Sequence, residues 1–147
     1  LAYDAAYCSI RASGFTYKLM VQGLHKLQYH LAEYKSRSDS LSKKEQDTLR
    51  DMRIVQEMYA RGFEFMPIDI YRAKARNFQI IDGKLMPSLS SIDGLGEKAA
   101  DAIVFAAEDG KFLSKEDFIN RTKVTKTVCD LMAELGILKG LTERNQL

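Results

Sequence analysis

A mostly helical α+β fold is what this sequence predicts, and three observations carry it. Apolar residues recur at threes and fours from Met20 to Tyr34, from Leu49 to Tyr59 and from Ala99 to Ala107, the period of amphipathic helices. Asp82-Gly83 lies between two short apolar runs, the two-residue signature of a type I′ β-hairpin. Two further helical stretches each follow a hydroxyl residue able to cap them, Ser114 and Thr125. With 147 residues, 46% of them hydrophobic, the chain suits one ordinary domain or two small ones with a real core.

Leu1 to Ala12 reads as the end of a helix that is apolar all round, and a start on Leu1 rather than Met suggests a piece of something longer. Ser13-Gly14 breaks that helix. One continuous helix is then predicted from about Thr16 to Tyr34, through Met20, Val21, Leu24, Leu27 and Leu31. His25 and His30 are five apart, off the spacing of a helical metal pair, and read as surface or packing residues. Polar Lys35 to Ser42 connects to Ser42-Lys43-Lys44-Glu45, a capping-box pattern. The helix it opens stops at Arg61-Gly62, a basic last turn before a glycine. Phe63, Phe65, Ile68 and Ile70 read as extended, and Pro67 confines that segment to an edge or interrupted strand. Asn77 to Ile81 and Lys84 to Met86 flank the hairpin turn. After a short turn at Ser88 to Ile92 come Gly94-Leu95-Gly96, a helix from Glu97 to Asp109 ended by Gly110, a helix from Ser114 to about Arg121, and a last helix from Lys126 to Leu135 closed by Gly136. Three segments follow: helical 1–62, a β linking element 63–87, and a helical domain 88–147.

Composition excludes several classes. No apolar run approaches the roughly 18 residues that span a bilayer, and no signal-peptide pattern is present, so no membrane partner is expected. Cys8 and Cys129 are far apart with no Cys-x-x-Cys, which points to free thiols in a reducing compartment, the cytoplasm, and away from a zinc site. Net charge is only +2, and residues 84–147 hold 9 basic against 10 acidic side chains. The cations are local: Arg121, Lys123 and Lys126 stand in an acid-free run from Phe118 to Cys129, and Arg72, Lys74 and Arg76 form a second cluster. Either patch alone reads as an ordinary solvated face.

The chemistry lies in Gly94-Leu95-Gly96 and the helix behind it. Two glycines around one apolar residue permit a tight turn that leaves peptide groups uncovered. The N–H groups at the start of the following helix can then receive an anion such as a phosphate. Turn, amides and packed helix resemble the helix–hairpin–helix motif, which binds the DNA backbone without reading sequence. Arg121-Thr122-Lys123-Val124-Thr125-Lys126 is similar to a second, degenerate copy, with side-chain donors in place of bare backbone. A tandem pair would hold both strands through phosphates, which position a duplex and specify no base. Taken alone, each turn is equally well a packing junction between helices.

A broader resemblance covers nearly the whole chain. Ala6 to Ala12, Glu57 to Phe63, Asp69 to Arg72, Phe78 to Gly83, Gly94 to Ala100, the long run from Ala107 to Phe118, Arg121 to Thr127 and the terminal Asn145-Gln146-Leu147 are similar to the C-terminal region of the PolC-type, family C replicative DNA polymerase III of Gram-positive bacteria. The resemblance implies the end of the polymerase fingers followed by a tandem helix–hairpin–helix domain that holds double-stranded primer–template, with the rest of the polymerase as partner. Carried over by position, Gly94, Leu95, Gly96 and the amides of Glu97 and Lys98 would meet phosphates, and Lys98, Arg121, Lys123, Thr125 and Lys126 would add contacts.

It implies no catalytic residue here. The family's magnesium-binding carboxylates belong to a palm domain, the chain has no Asp-x-Asp pair, and polymerase activity from this chain alone is not expected. Some relatives hold a monovalent cation at the hairpin, though no residue here demands one. The family ends in a Gln-Leu-Ser-Leu-Phe tail that docks on the sliding clamp; this chain stops at Gln146-Leu147, which makes the clamp a doubtful partner. Asp93 and Ser88 stand where members often have proline, and Asp93 brings a carboxylate towards any bound phosphate. Two alternatives remain: a protein-docking module within a replisome, and the helix–hairpin–helix module of a DNA repair enzyme.

Overall fold

The computed structural model describes residues 13–144. The expected helix over Leu1 to Ala12, Cys8 and the terminal Asn145-Gln146-Leu147 lie outside the described residues. Among the described residues, six α-helices and one two-stranded sheet follow in the predicted order. They are α1 (Gly14–Gln22), α2 (Leu24–Ser36), α3 (Lys43–Ala60), β1 (Gln79–Ile81), β2 (Lys84–Met86), α4 (Glu97–Ala107), α5 (Lys115–Thr122) and α6 (Lys126–Glu134).

One helix of the sequence reading is two. Gly23, at φ +102°, separates α1 from α2, and its carbonyl starts the second helix by accepting from the Leu27 N–H. The apolar spacing continues through this point because Met20, Leu27 and Leu31 all reach one core, so periodicity alone gives no sign of the break. Ser13 caps α1 by accepting from the Thr16 N–H at 3.2 Å.

The α3 boundaries follow the sequence closely. Ser42 and Glu45 form both halves of the capping box, at 3.1 Å and 3.0 Å. At the other end the Phe63 N–H reaches the Met58 carbonyl and the Gly62 N–H reaches that of Tyr59, a Schellman closure. The segment after it does not become a full strand. Phe65 makes only an isolated bridge to Leu85, with the Met66 N–H donating to the Leu85 carbonyl and the Leu85 N–H to that of Glu64. Pro67 has no N–H to extend this pairing. The β1–β2 hairpin is antiparallel, with Ile80 opposite Leu85, and Asp82 (φ 52°) and Gly83 (φ 79°) take the positive dihedrals a type I′ turn requires.

A single apolar core runs from the first helices to the last, from Tyr17, Met52 and Met58 through Phe65, Leu85 and Met86 to Leu95, Ile103, Phe118 and Met132. Polar links cross between its parts. The buried Tyr17 hydroxyl accepts from the Ile68 N–H at 2.8 Å, and the Tyr71 hydroxyl accepts from the Phe112 N–H at 3.2 Å. Lys18 on α1 pairs with Glu134 on α6 at 3.7 Å. A Cβ added at Gly14 would stand 3.2 Å from Leu135 Cδ2, so α1 rests directly on the end of α6.

Candidate nucleic-acid interface

Two turns in the C-terminal part share one backbone conformation. In the first, Gly94 has φ +94°, Leu95 is buried, and Gly96 is the N-cap of α4 with φ −73° and ψ 168°. In the second, Lys123 has φ +62°, Val124 is buried, and Thr125 is the N-cap of α6 with φ −73° and ψ 160°. Both therefore run left-handed, buried apolar, extended cap, helix. The first arm of the first turn is only a 3-10 turn, Leu89–Ser91; that of the second is the whole of α5.

The left-handed position has a different occupant in each. Gly94 takes it without strain, and it has a second reason to be glycine: an added Cβ would lie 3.1 Å from Leu131 Cδ2 on α6. The first turn is thus seated against the helix that the second turn opens. Lys123 adopts the same region with a side chain, which is uncommon outside Asn, Asp and Gly.

The caps differ as well. Thr125 accepts from the Val128 N–H at 3.2 Å through its hydroxyl. Gly96 has no side chain to do this, so the first-turn amides of α4 carry no side-chain cap. Nothing within the fold asks for glycine at 96. Its φ is ordinary, and an added Cβ would meet no atom within 4 Å. The residue leaves open space above the amides, and that space faces solvent.

The sequence-selected side chains fall into two groups. Gly94, Gly96, Glu97, Lys98, Lys123, Thr125 and Lys126 are exposed around the two turns, with Leu95 buried beneath the first. Lys126 pairs with Asp130 at 3.0 Å on an open surface, and that contact raises its pKa. Arg121 is different. Its guanidinium donates to the carbonyls of Ala106 (2.7 Å), Gly110 (2.9 Å) and Lys111 (2.9 Å) and approaches Asp117 at 3.4 Å. It also lies over the Phe112 ring at 4.4 Å. These carbonyls belong to the end of α4 and the loop beyond it, where a cation complements the helix dipole. Arg121 therefore ties the α4–α5 connection together.

The second basic cluster is partly drawn into this region. Arg76 contacts Asp101 at 2.8 Å and Glu97 at 3.7 Å, both on α4, while Arg72 turns to Asp69 at 2.9 Å. Single-sequence reading finds these cations but carries no signal for which acid each will meet.

Paired hairpins of matched geometry, each opening a helix, define a helix–hairpin–helix protein. The helix-hairpin-helix motif family matches residues 62–147, and the chain belongs to that family. Over its whole length it is also similar to PolC-type DNA polymerase III. It is 38% identical to that of Caldanaerobacter subterraneus subsp. tengcongensis over 99% of this chain, 40% to that of Listeria monocytogenes over 100%, and 38% to that of Bacillus subtilis over 100%. In each case the match covers 10% of the relative, so the chain spans about a tenth of the length of these polymerases. No helix among the described residues is long and apolar enough to cross a membrane.

Proposed function

We propose that this chain holds double-stranded DNA by its phosphates, without reading bases, as the primer–template-gripping part of a replicative DNA polymerase. The matched backbone of Gly94-Leu95-Gly96 and Lys123-Val124-Thr125 carries this reading. One strand's phosphate meets the α4 amides of Glu97 and Lys98 beneath the bare Gly96, with Lys98 beside it. The other strand's phosphate meets the start of α6, with Lys123, Thr125 and Lys126 as donors. Arg121 serves by bracing the α4–α5 connection. Primer–template and the rest of the polymerase are the partners this assigns, on the strength of the similarity to PolC-type enzymes.

Fluorescence anisotropy with labelled duplex and labelled single strand tests it. The expected result is duplex preference, with log K falling against log salt by about 0.9 per phosphate contacted, hence a shallow slope of about −2 to −4. Gly96→Val and Lys123→Glu/Lys126→Glu should each weaken duplex binding by at least about tenfold, as a lost phosphate contact and a reversed charge do. Duplex binding untouched by both variants would move the site elsewhere.

One observation favours a second reading, a protein-docking face. Phe105 and Leu113 are 72% and 69% exposed, large apolar side chains open to a partner. Under that reading the lysine variants leave DNA binding alone, and Phe105→Ser abolishes capture of the polymerase remainder.

A further inference from the structure

The first hairpin has an unfavourable charge balance for an anion site. Asp93, Glu97 and Asp101 are all exposed around it, against Lys98 alone from the same stretch. Glu97 and Asp101 are one turn apart on α4 and share a face. A phosphate arriving at the amides would feel the charge of these carboxylates. The second hairpin has no such difficulty, with Lys123 and Lys126 beside its cap and Asp130 the nearest acid in sequence.

A single cation from outside the hairpin meets two of those acids. Arg76 belongs to the segment before β1, and its place is fixed by backbone pairing. The Leu89 N–H donates to the Lys74 carbonyl at 3.0 Å and the Ser90 N–H to that of Ala75 at 2.9 Å. The residues just before Arg76 are thereby stitched to the first arm of the hairpin. From there the guanidinium reaches Asp101 at 2.8 Å and Glu97 at 3.7 Å while staying about half exposed.

We propose that Arg76 is a positioning residue of the first hairpin, which draws the carboxylates of Glu97 and Asp101 aside and cancels their charge so that a phosphate can reach the α4 amides. This rests on the phosphate-gripping reading above. As exposed surface pairs, these contacts contribute little to folding, so their purpose has to be sought in the local field. A unit charge about 6 Å from a phosphate in water changes affinity roughly threefold, so uncovering two carboxylates should weaken binding by roughly three- to tenfold at low salt.

Duplex titrations of the 147-residue chain at two salt concentrations, each paired with a thermal melt, test this. Arg76→Gln should bind duplex roughly three- to tenfold more weakly at low salt, with the deficit shrinking at high salt and the melt unmoved. Arg76→Lys, which keeps the charge, should recover most of the loss. Adding Glu97→Gln and Asp101→Asn to Arg76→Gln should restore wild-type affinity, because neither of the two carboxylates that Arg76 meets is left. A triple variant as weak as Arg76→Gln overturns the proposal, as does Arg76→Gln binding like wild type. Gly96→Val in the same series separates the two failures. If it binds normally, the hairpin reading itself falls; if it loses binding while Arg76→Gln does not, only the role of Arg76 falls.

Discussion

Tyr17 places a phenol in the core and puts it to use. Its hydroxyl is the acceptor for the Ile68 N–H, a group that water cannot reach. Tyr17→Phe keeps the ring and strands that donor, so a loss of about 1–3 kcal/mol is expected in chemical denaturation. Burial also pushes the Tyr17 phenol above its ordinary value, more than the hydrogen bond from Ile68 pulls it down. Tyr59 is raised in the same direction, by burial first and Glu64 second. The neutral phenols are favoured in the folded state, so their contribution is present below the unfolded phenol pKa, about 10, and is lost as pH rises past it. Melting temperature should therefore fall above about pH 10, and the fall should be shallower in Tyr17→Phe. The Cys129 thiol is buried and likewise shifted up, chiefly by desolvation, in keeping with a packing role.

At the scale of elements, the ends of helices were largely written in the sequence. Ser42 with Glu45, Ser114 with Asp117, Asp82-Gly83 and Gly136 each announce a local backbone event with a local cause, and each event is present. Gly23 was missed because a glycine inside an unbroken apolar period only lowers helix stability, and tertiary packing decides whether the helix ends there. Arg121 was visible as a cation near a turn. That it faces three carbonyls could not be read, since they come from residues ten to fifteen positions earlier in the chain and are brought to it by packing. Lys123 shows the same limit in dihedral space: nothing in its neighbours marks a left-handed lysine. Its conformation carries a strain of about 1 kcal/mol that glycine would not. Lys123→Gly should consequently raise the melting temperature slightly while weakening duplex binding, two opposite shifts from one substitution that a purely structural role would not produce.

At the scale of the whole molecule, one side chain on the last helix joins parts that are distant in sequence. Leu131 is the residue an added Cβ would strike at Gly94, and it lies within 4.0 Å of one at Gly14. The first hairpin, α6 and α1 thus meet at a common point. Leu131→Ala should loosen all three together, costing about 2–3 kcal/mol because the site is only partly buried. In the proposed grip it should also weaken duplex binding more than its distance from any phosphate suggests, since the two hairpins would lose their fixed separation. A melt and a duplex titration on the same sample check both.

The unequal caps have a consequence of their own. A DNA duplex, ignoring its bases, looks the same from either end, because its two strands are antiparallel and equivalent. Two identical hairpins would accept it in either direction with equal ease. Here one hairpin offers bare amides under Gly96, and the other has its third amide already engaged by the Thr125 hydroxyl and a lysine at the bend. In the proposed grip the two strands are then met by different donors. Turning the duplex end for end still presents the same backbone to each hairpin, so such a grip holds it equally well in either direction, and telling primer from template falls to whatever meets the strand ends.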